Sequence, residues 1–300
     1  MSVCKTARYH LPGLFEFYEL YKLFLPLYRE HREFFYDWCE IGSIYGAPAD
    51  CIWGGGRVGY GDDEPQEVLA LMQEYGVSSR LTFSNSLLTD KHLSDKRCNA
   101  LCKLFNVASP VRNGVVIYSD VLLEHVKANY QNLYFVASTT KVITDFDGFK
   151  AELENPDYDY VVPDFRLNKS FDGLTALPQG LKDKTEFLCN ECCPISCTER
   201  KRCYMSVSAQ NLGIKDPEHI CPYGALGGYS FSRAMLGQAF IGIDDIQNVY
   251  LPLGFTNFKL EGRSLGSAMV LEFLLYYMTK PEYQLRVREA IYLSSSLDLF

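Results

Sequence analysis

Gly114-Val-Val-Ile-Tyr118, then Val121 to Tyr130, then Leu133-Tyr-Phe-Val-Ala137 decide how the rest of the chain is read. The first and third segments are short, continuous apolar runs rich in β-branched and aromatic residues, which reads as strand. The middle segment places Val121, Leu122, Val126 and Tyr130 at helical spacing, with Glu124 and Lys127 between them. A strand that is apolar on both faces, followed by an amphipathic helix and a second such strand, predicts a parallel pair with its crossover packed on the sheet.

Working outward, the same alternation recurs. Strand-like runs are read at Phe34–Ile44, Arg80–Ser84, Tyr158–Pro163, Thr185–Cys189, Gln238–Ile243 and Asn257–Leu260. Helical patterns at Pro65–Tyr75 and Leu93–Phe105 precede the second and third strands, and the fifth crossover, Phe171–Lys182, is broken by Gly173, Pro178 and Gly180. Eight units predict an α/β fold, a (β/α)8 TIM-like barrel forming one domain over residues 1–300. Ser267–Met278 reads as the last outer helix. Leu14–His31 reads as an extra N-terminal helix, within an extension over residues 1–32, with Pro26 kinking or ending its regular part. A long cysteine-rich crossover, residues 189–237, follows the sixth strand.

With 47% hydrophobic and 22% charged residues, 21 Tyr and 19 Phe, the 300-residue chain has the composition of a globular protein with an aromatic interior. A net charge of −8 argues against broad nucleic-acid binding, which needs clustered Lys and Arg. The most apolar segment, Leu14–Tyr28, is interrupted by Glu16, Glu19 and Lys22, so no membrane span is expected, and the start of the sequence lacks a signal-peptide pattern. Eleven cysteines without such a signal point to a reducing, cytoplasmic setting in which clustered thiols are metal ligands or reactive groups.

Six of the eleven lie between Cys189 and Cys221. The run Cys189-Asn-Glu-Cys192-Cys193-Pro-Ile-Ser-Cys197-Thr-Glu-Arg-Lys-Arg-Cys203 leaves a predicted strand end, and His219-Ile-Cys221 follows. Thiolates favour zinc or iron–sulfur iron. Zinc sites usually pair cysteines twice at short spacing; one Cys-x3-Cys pair followed by wide single spacings leans towards iron–sulfur. A radical-SAM run would need a cysteine at Arg200. Cys98 and Cys102, four apart on a predicted helix, read as buried structural thiols.

In parallel barrels the residues at the carboxyl ends of strands form the active face. Ser84, Ser138, Thr139, Asp164, Glu191 and Asp245 fall there, while Asp120 and Asp244 sit where helix N-caps are expected. Glu261 and Arg263, at alternate positions after the eighth strand, both point to the mouth or pair with each other. With Arg57, Arg166 and Lys259 they form a candidate pocket for a carboxylate substrate. Gly54-Gly-Gly56-Arg57-Val58-Gly59 matches a dinucleotide fingerprint in letters, but no helix opens within it, so it reads as a loop. No Ser/His/Asp or Cys/His triad can be assembled from the five histidines.

The run from Asn190 through Tyr204, then Cys221-Pro-Tyr223 and Phe258-Lys-Leu-Glu-Gly-Arg263, resembles the collagenase-like peptidase family U32, as a divergent member acidic overall and with a long aromatic first helix. The resemblance is clearest over Tyr158–Tyr283. It implies a TIM-like barrel holding a [4Fe–4S] cluster and, from better-understood relatives, oxygen-independent hydroxylation in ubiquinone synthesis or of RNA bases. Carried over, Cys193, Cys197 and Cys221 are metal ligands, with the fourth from Cys51, Cys189, Cys192 or Cys203. The expected function is then an iron–sulfur oxidoreductase or hydroxylase-like enzyme acting on a small molecule or modified macromolecule, with a protein partner or electron donor. The alternatives are a non-catalytic partner-binding module with a structural zinc or cluster, and a thiol-dependent hydrolase or peptidase. A ligated thiolate is not free to attack, which disfavours peptidase activity.

Overall fold

The computed structural model describes residues 5–55, 64–215, 219–221 and 229–296. Eight parallel strands run β1 (Ala7–Pro12), β2 (Cys39–Gly46), β3 (Ser78–Phe83), β4 (Gly114–Ile117), β5 (Tyr134–Ala137), β6 (Tyr160–Val161), β7 (Glu186–Leu188) and β8 (Asn257–Lys259). They are ordered β6-β5-β4-β3-β2-β1-β8-β7. A parallel bridge between Val161 and Thr185 brings β6 to β7, so the sheet closes as a (β/α)8 TIM-like barrel.

Between the strands lie α1 (Tyr18–Glu30), α2 (Pro65–Tyr75), α3 (Lys96–Phe105), α4 (Asp120–Asn129) and α5 (Phe146–Glu154). The broken fifth crossover forms two short helices, α6 (Phe171–Ala176) and α7 (Gln179–Lys184). Between β7 and β8 come α8 (Arg200–Asn211), α9 (Phe231–Met235), α10 (Ile243–Asp245), a π-helical turn (Ile246–Tyr250) and α11 (Leu251–Leu253). The chain continues through α12 (Ser267–Met278) and α13 (Gln284–Ser296). No described helix is long and apolar enough to cross a membrane.

Several expectations are corrected. The first strand is Ala7–Pro12, whose Arg8 and His10 interrupt the apolar pattern; His10 faces the barrel interior, where its ring bonds Ser43 and Asn257. Helix α1 therefore joins β1 to β2 as an ordinary crossover and is not an extra N-terminal element, and it continues through Pro26 to Glu30. Gln238–Ile243 is not a strand. Its apolar residues pack as loop, and Ile241 N–H donates to Cys189 O at 3.0 Å, one bond in place of a ladder. The cysteine-rich crossover thus follows the seventh strand. Nor is Ser267–Met278 the last helix, since α13 follows it.

Strand alternation divides the apolar residues into two sets. Val115, Ile117, Phe135, Phe187 and Phe258 belong to the main core, between the strands and the helices. Val116, Tyr134, Val136, Val162 and Leu188 form a separate cluster inside the barrel. Helix starts are fixed by side chains: Asp95 caps α3, Ser119 caps α4 and Asp145 caps α5. Ser119, and not Asp120, is the cap residue.

Candidate functional site

A cavity of about 150 Å³ opens at the carboxyl ends of the strands. Its wall carries four thiols, Cys193, Cys197, Cys203 and Cys221, which come from the loop after β7, from α8 and from the segment at 219–221. Opposite them stand Thr82 and Ser84 of the β3 end, Ser138, Thr139 and Thr140 of the β5 end, and Lys259, Glu261 and Arg263 of the β8 end.

The remaining candidate thiols lie elsewhere. Cys189 is fully buried in the main core with its S–H donating to Phe187 O at 3.5 Å, and burial pushes that thiol well above its ordinary value. Cys51 is buried with its Sγ 2.8 Å from Cys98 Sγ. Cys192 sits with Glu191 and Glu261, the one set of three possible metal-ligand atoms within 4.8 Å of one another among the described residues. Burial, then Glu261 and Glu191, raise its thiol to about 11.

Charged side chains hold the cysteine loop. Arg166 pairs with Asp164 at 3.0 Å, donates through Nε to Ile195 O at 3.1 Å and through Nη2 to Cys197 O. Arg200 opens α8 and lies between the Phe165 and Tyr204 rings, 4.8 and 5.2 Å from their centres. Its Nη1 is 2.5 Å from Glu191, whose other oxygen accepts the Cys193 N–H at 3.0 Å. The result is a chain of charges from Asp164 through Arg200 and Glu191 to the backbone of Cys193. His219 Nε2 lies 3.1 Å from Cys203 Sγ.

Arg263 takes Glu16 as its partner at 2.7 Å and donates to Ala47 O at 3.0 Å. Glu261 N–H donates to Asn190 Oδ1 at 2.8 Å. Arg57 lies outside the described residues. Five buried polar atoms on the cavity residues have no hydrogen-bond partner among the described residues: Thr82 Oγ1, Ser84 Oγ, Arg200 Nε and Nη2, and Arg263 Nη1.

Beneath the cavity, the barrel lumen holds a second polar cluster. Glu186 is fully buried, 2.5 Å from Arg80 Nη1, 3.3 Å from Lys259 Nζ and 3.5 Å from His10 Nε2. Arg80 Nε also donates to Tyr134 OH at 2.7 Å. Burial alone would raise the Glu186 carboxyl, but Arg80, His10 and Lys259 hold it well below the carboxylate range. Burial, then Arg80, lower His10 to about 3, so it is neutral. Burial lowers Lys259 to about 8 against the pull of Glu186, and its Nζ lies 3.5 Å from the centre of the Tyr45 ring. Lys259 joins both regions, since it reaches Glu186 below and lines the cavity above.

The sequence alone places Ser84, Ser138, Thr139, Glu191 and the β8 residues at this face. It does not reveal Arg200, visible only as the arginine that stands where a radical-SAM cysteine would be. Nor does it reveal Arg80 and Glu186, whose signal is a charge within a segment read as strand.

The architecture defines a TIM-barrel protein with a thiol-lined mouth. Neither a protein-family model nor a curated protein matches the sequence. Among solved structures, the chain is similar in fold to the U32 peptidase Mk0906, with a TM-score of 0.51 and 17% sequence identity, covering 87% of this chain and 95% of that one.

Proposed function

We propose that Cys193, Cys197, Cys203 and Cys221 hold a [4Fe–4S] cluster at the barrel mouth, and that the protein is an iron–sulfur oxidoreductase, of the oxygen-independent hydroxylase kind, acting on a small molecule or an extruded group of a macromolecule in the cavity. The observation that carries this reading is the convergence of four thiols, from separate segments, on one cavity. The donor set fits: four soft sulfurs complete the shell of a cubane. Zinc takes the same kind of donor; one Cys-x3-Cys pair followed by widely spaced single cysteines favours the cluster.

A cluster held by all four thiolates would supply one-electron transfer, at a potential set by its exposure and surroundings. The chain's own residues do the rest. Arg166 and the Asp164–Arg200–Glu191 chain fix the loop that carries Cys193 and Cys197. Ser84, Thr82 and Arg263 offer hydrogen bonds to a ligand, and Lys259 presents an ammonium that gives up its proton near pH 8. Val116, Val162 and Leu188 line the cavity with apolar surface that excludes water.

The test is anaerobic purification with iron, sulfide and zinc quantified beside visible absorption and EPR spectra. About four irons and four sulfides per chain are expected, lost in Cys193→Ala/Cys197→Ala and in Cys203→Ser, and retained in Cys189→Ser and Cys51→Ser. Stoichiometric zinc overturns the cluster in favour of a structural site. A metal-free protein that cleaves peptides and is inactivated by alkylation of one mouth cysteine establishes the hydrolase reading, which the name of the structural neighbour also suggests.

A further inference from the structure

Away from the mouth, a second pair of thiols is in near-bonding contact. Cys51 Sγ and Cys98 Sγ are 2.8 Å apart and both residues are buried. A disulfide is about 2.05 Å long, so less than ~1 Å of movement separates contact from bond. Both segments are already fixed. Cys51 sits in a tight turn, its N–H donating to Pro48 O at 3.2 Å and its C=O accepting from Gly54 N at 2.9 Å. Cys98 is in the first turn of α3, its N–H held by the Asp95 cap at 2.8 Å.

We propose that Cys51 and Cys98 are a disulfide-forming pair, closed by a small hydroperoxide, that covalently ties the loop after β2 to α3. The electrons balance as a two-electron oxidation. The Cys51 sulfur attacks one oxygen of hydrogen peroxide, the O–O bond breaks, water leaves, and Cys51 becomes a sulfenic acid. The Cys98 sulfur then displaces that hydroxyl as a second water, forming the S–S bond; the two thiol protons end in the two waters. The contact is symmetric in the two sulfurs, so the same balance holds with Cys98 attacking first. Burial restricts the oxidant to one small enough to enter, whereas Cys193, Cys203 and Cys221 at the mouth are half-buried.

The bond has somewhere to transmit its effect. The turn that carries Cys51 is joined to the rest of the barrel by Trp53 Nε1 donating to His92 O at 2.8 Å and Asn85 Nδ2 donating to Ile52 O at 2.9 Å. It meets α8, the helix of Cys203, where Asn211 Nδ2 donates to Gly54 O at 2.6 Å. Closing the pair therefore stiffens the support of α8 without touching the mouth thiols, and the inference stands whether or not a metal is bound there.

The experiment treats the whole protein with hydrogen peroxide, blocks residual thiols with N-ethylmaleimide in denaturant, and maps tryptic peptides by mass spectrometry. The expected product joins the peptide Glu33–Arg57 to Cys98–Lys103, with fragmentation placing the link at Cys51 and Cys98. It is reversed by dithiothreitol, persists in Cys102→Ser and is absent in Cys51→Ser. The oxidised wild type melts at a higher temperature than the reduced one, and Cys51→Ser shows no such shift. A link to Cys102 or Cys39, or Cys51 and Cys98 left as thiols when the mouth cysteines are oxidised, overturns the proposal.

Discussion

The lumen and the mouth of this barrel treat buried polar groups in opposite ways. In the lumen, Glu186 faces Arg80, Lys259 and His10, Arg80 is further held by Tyr134, and His10 by Ser43. At the mouth, farther along the same barrel, Thr82, Ser84, Arg200 and Arg263 each keep an atom with no hydrogen-bond partner among the described residues. An orphaned buried donor costs about 1–3 kcal/mol. The buried charges of the lumen answer one another, whereas these mouth residues keep polar atoms without a partner among the described residues, as Tyr9 and Ser79 also do elsewhere in the barrel.

The largest effect expected from this contrast is at Glu186. Glu186→Gln leaves Arg80 and Lys259 buried without a counter-charge, and should lower unfolding free energy by about 3–5 kcal/mol in urea titrations. A loss below about 1 kcal/mol would mean that the lumen network contributes little to stability. The next effect is on acid stability. His10 is neutral in the folded protein, with a value near 3 against about 6.5 unfolded, so below pH ~6.5 the unfolded chain binds a proton that the folded one refuses. Stability then falls as pH falls towards 3, by up to about 1.4 kcal/mol per pH unit, and Glu186 adds loss in the same direction below its unfolded value of about 4.3. Denaturant midpoints from pH 7 to 4 measure this, and His10→Asn should flatten the slope.

A smaller pair of variants makes the same chemical change in both regions. Tyr134→Phe removes the acceptor of Arg80 Nε and a partner of Ser78, and should cost about 1–3 kcal/mol. Ser84→Ala removes a hydroxyl with no bond among the described residues and should leave stability within about 0.5 kcal/mol. If the two variants cost the same, the mouth is as structural as the lumen. Smallest of all is Arg288→Ala, which breaks a surface pair with Glu272 and should change stability by less than about 1 kcal/mol.

Much of the barrel is legible in the sequence. Seven of the eight strands, β2 to β8, overlap runs read as strand, and the clearest are β4 and β5, because a parallel strand covered on both faces carries an unbroken apolar pattern. The first strand escapes because Arg8 and His10 alternate through it, while Ala239-Phe240-Ile241 imitates a strand from within a loop. The clustering of cysteines marks the mouth, but which sulfur joins Cys193, Cys197 and Cys221 on the cavity wall depends on α8. That helix turns Cys203 inward, while Cys189, nearer in sequence to Cys193, goes to the core. The Arg80–Glu186 pair spans 106 residues, and only closure of the sheet brings the two charges together.

Closure itself rests on unequal means. Around most of the rim the strands are laced edge to edge, yet between β6 and β7 a single bridge, Val161 to Thr185, does the joining. Arg80 on β3 and Glu186 on β7 meet across the lumen, as spokes meet in a wheel whose rim is nearly open at one point. On this view the charges at the hub keep the wheel round, and under mechanical load or transient opening the gap at Val161 and Thr185 is where the hoop would part first.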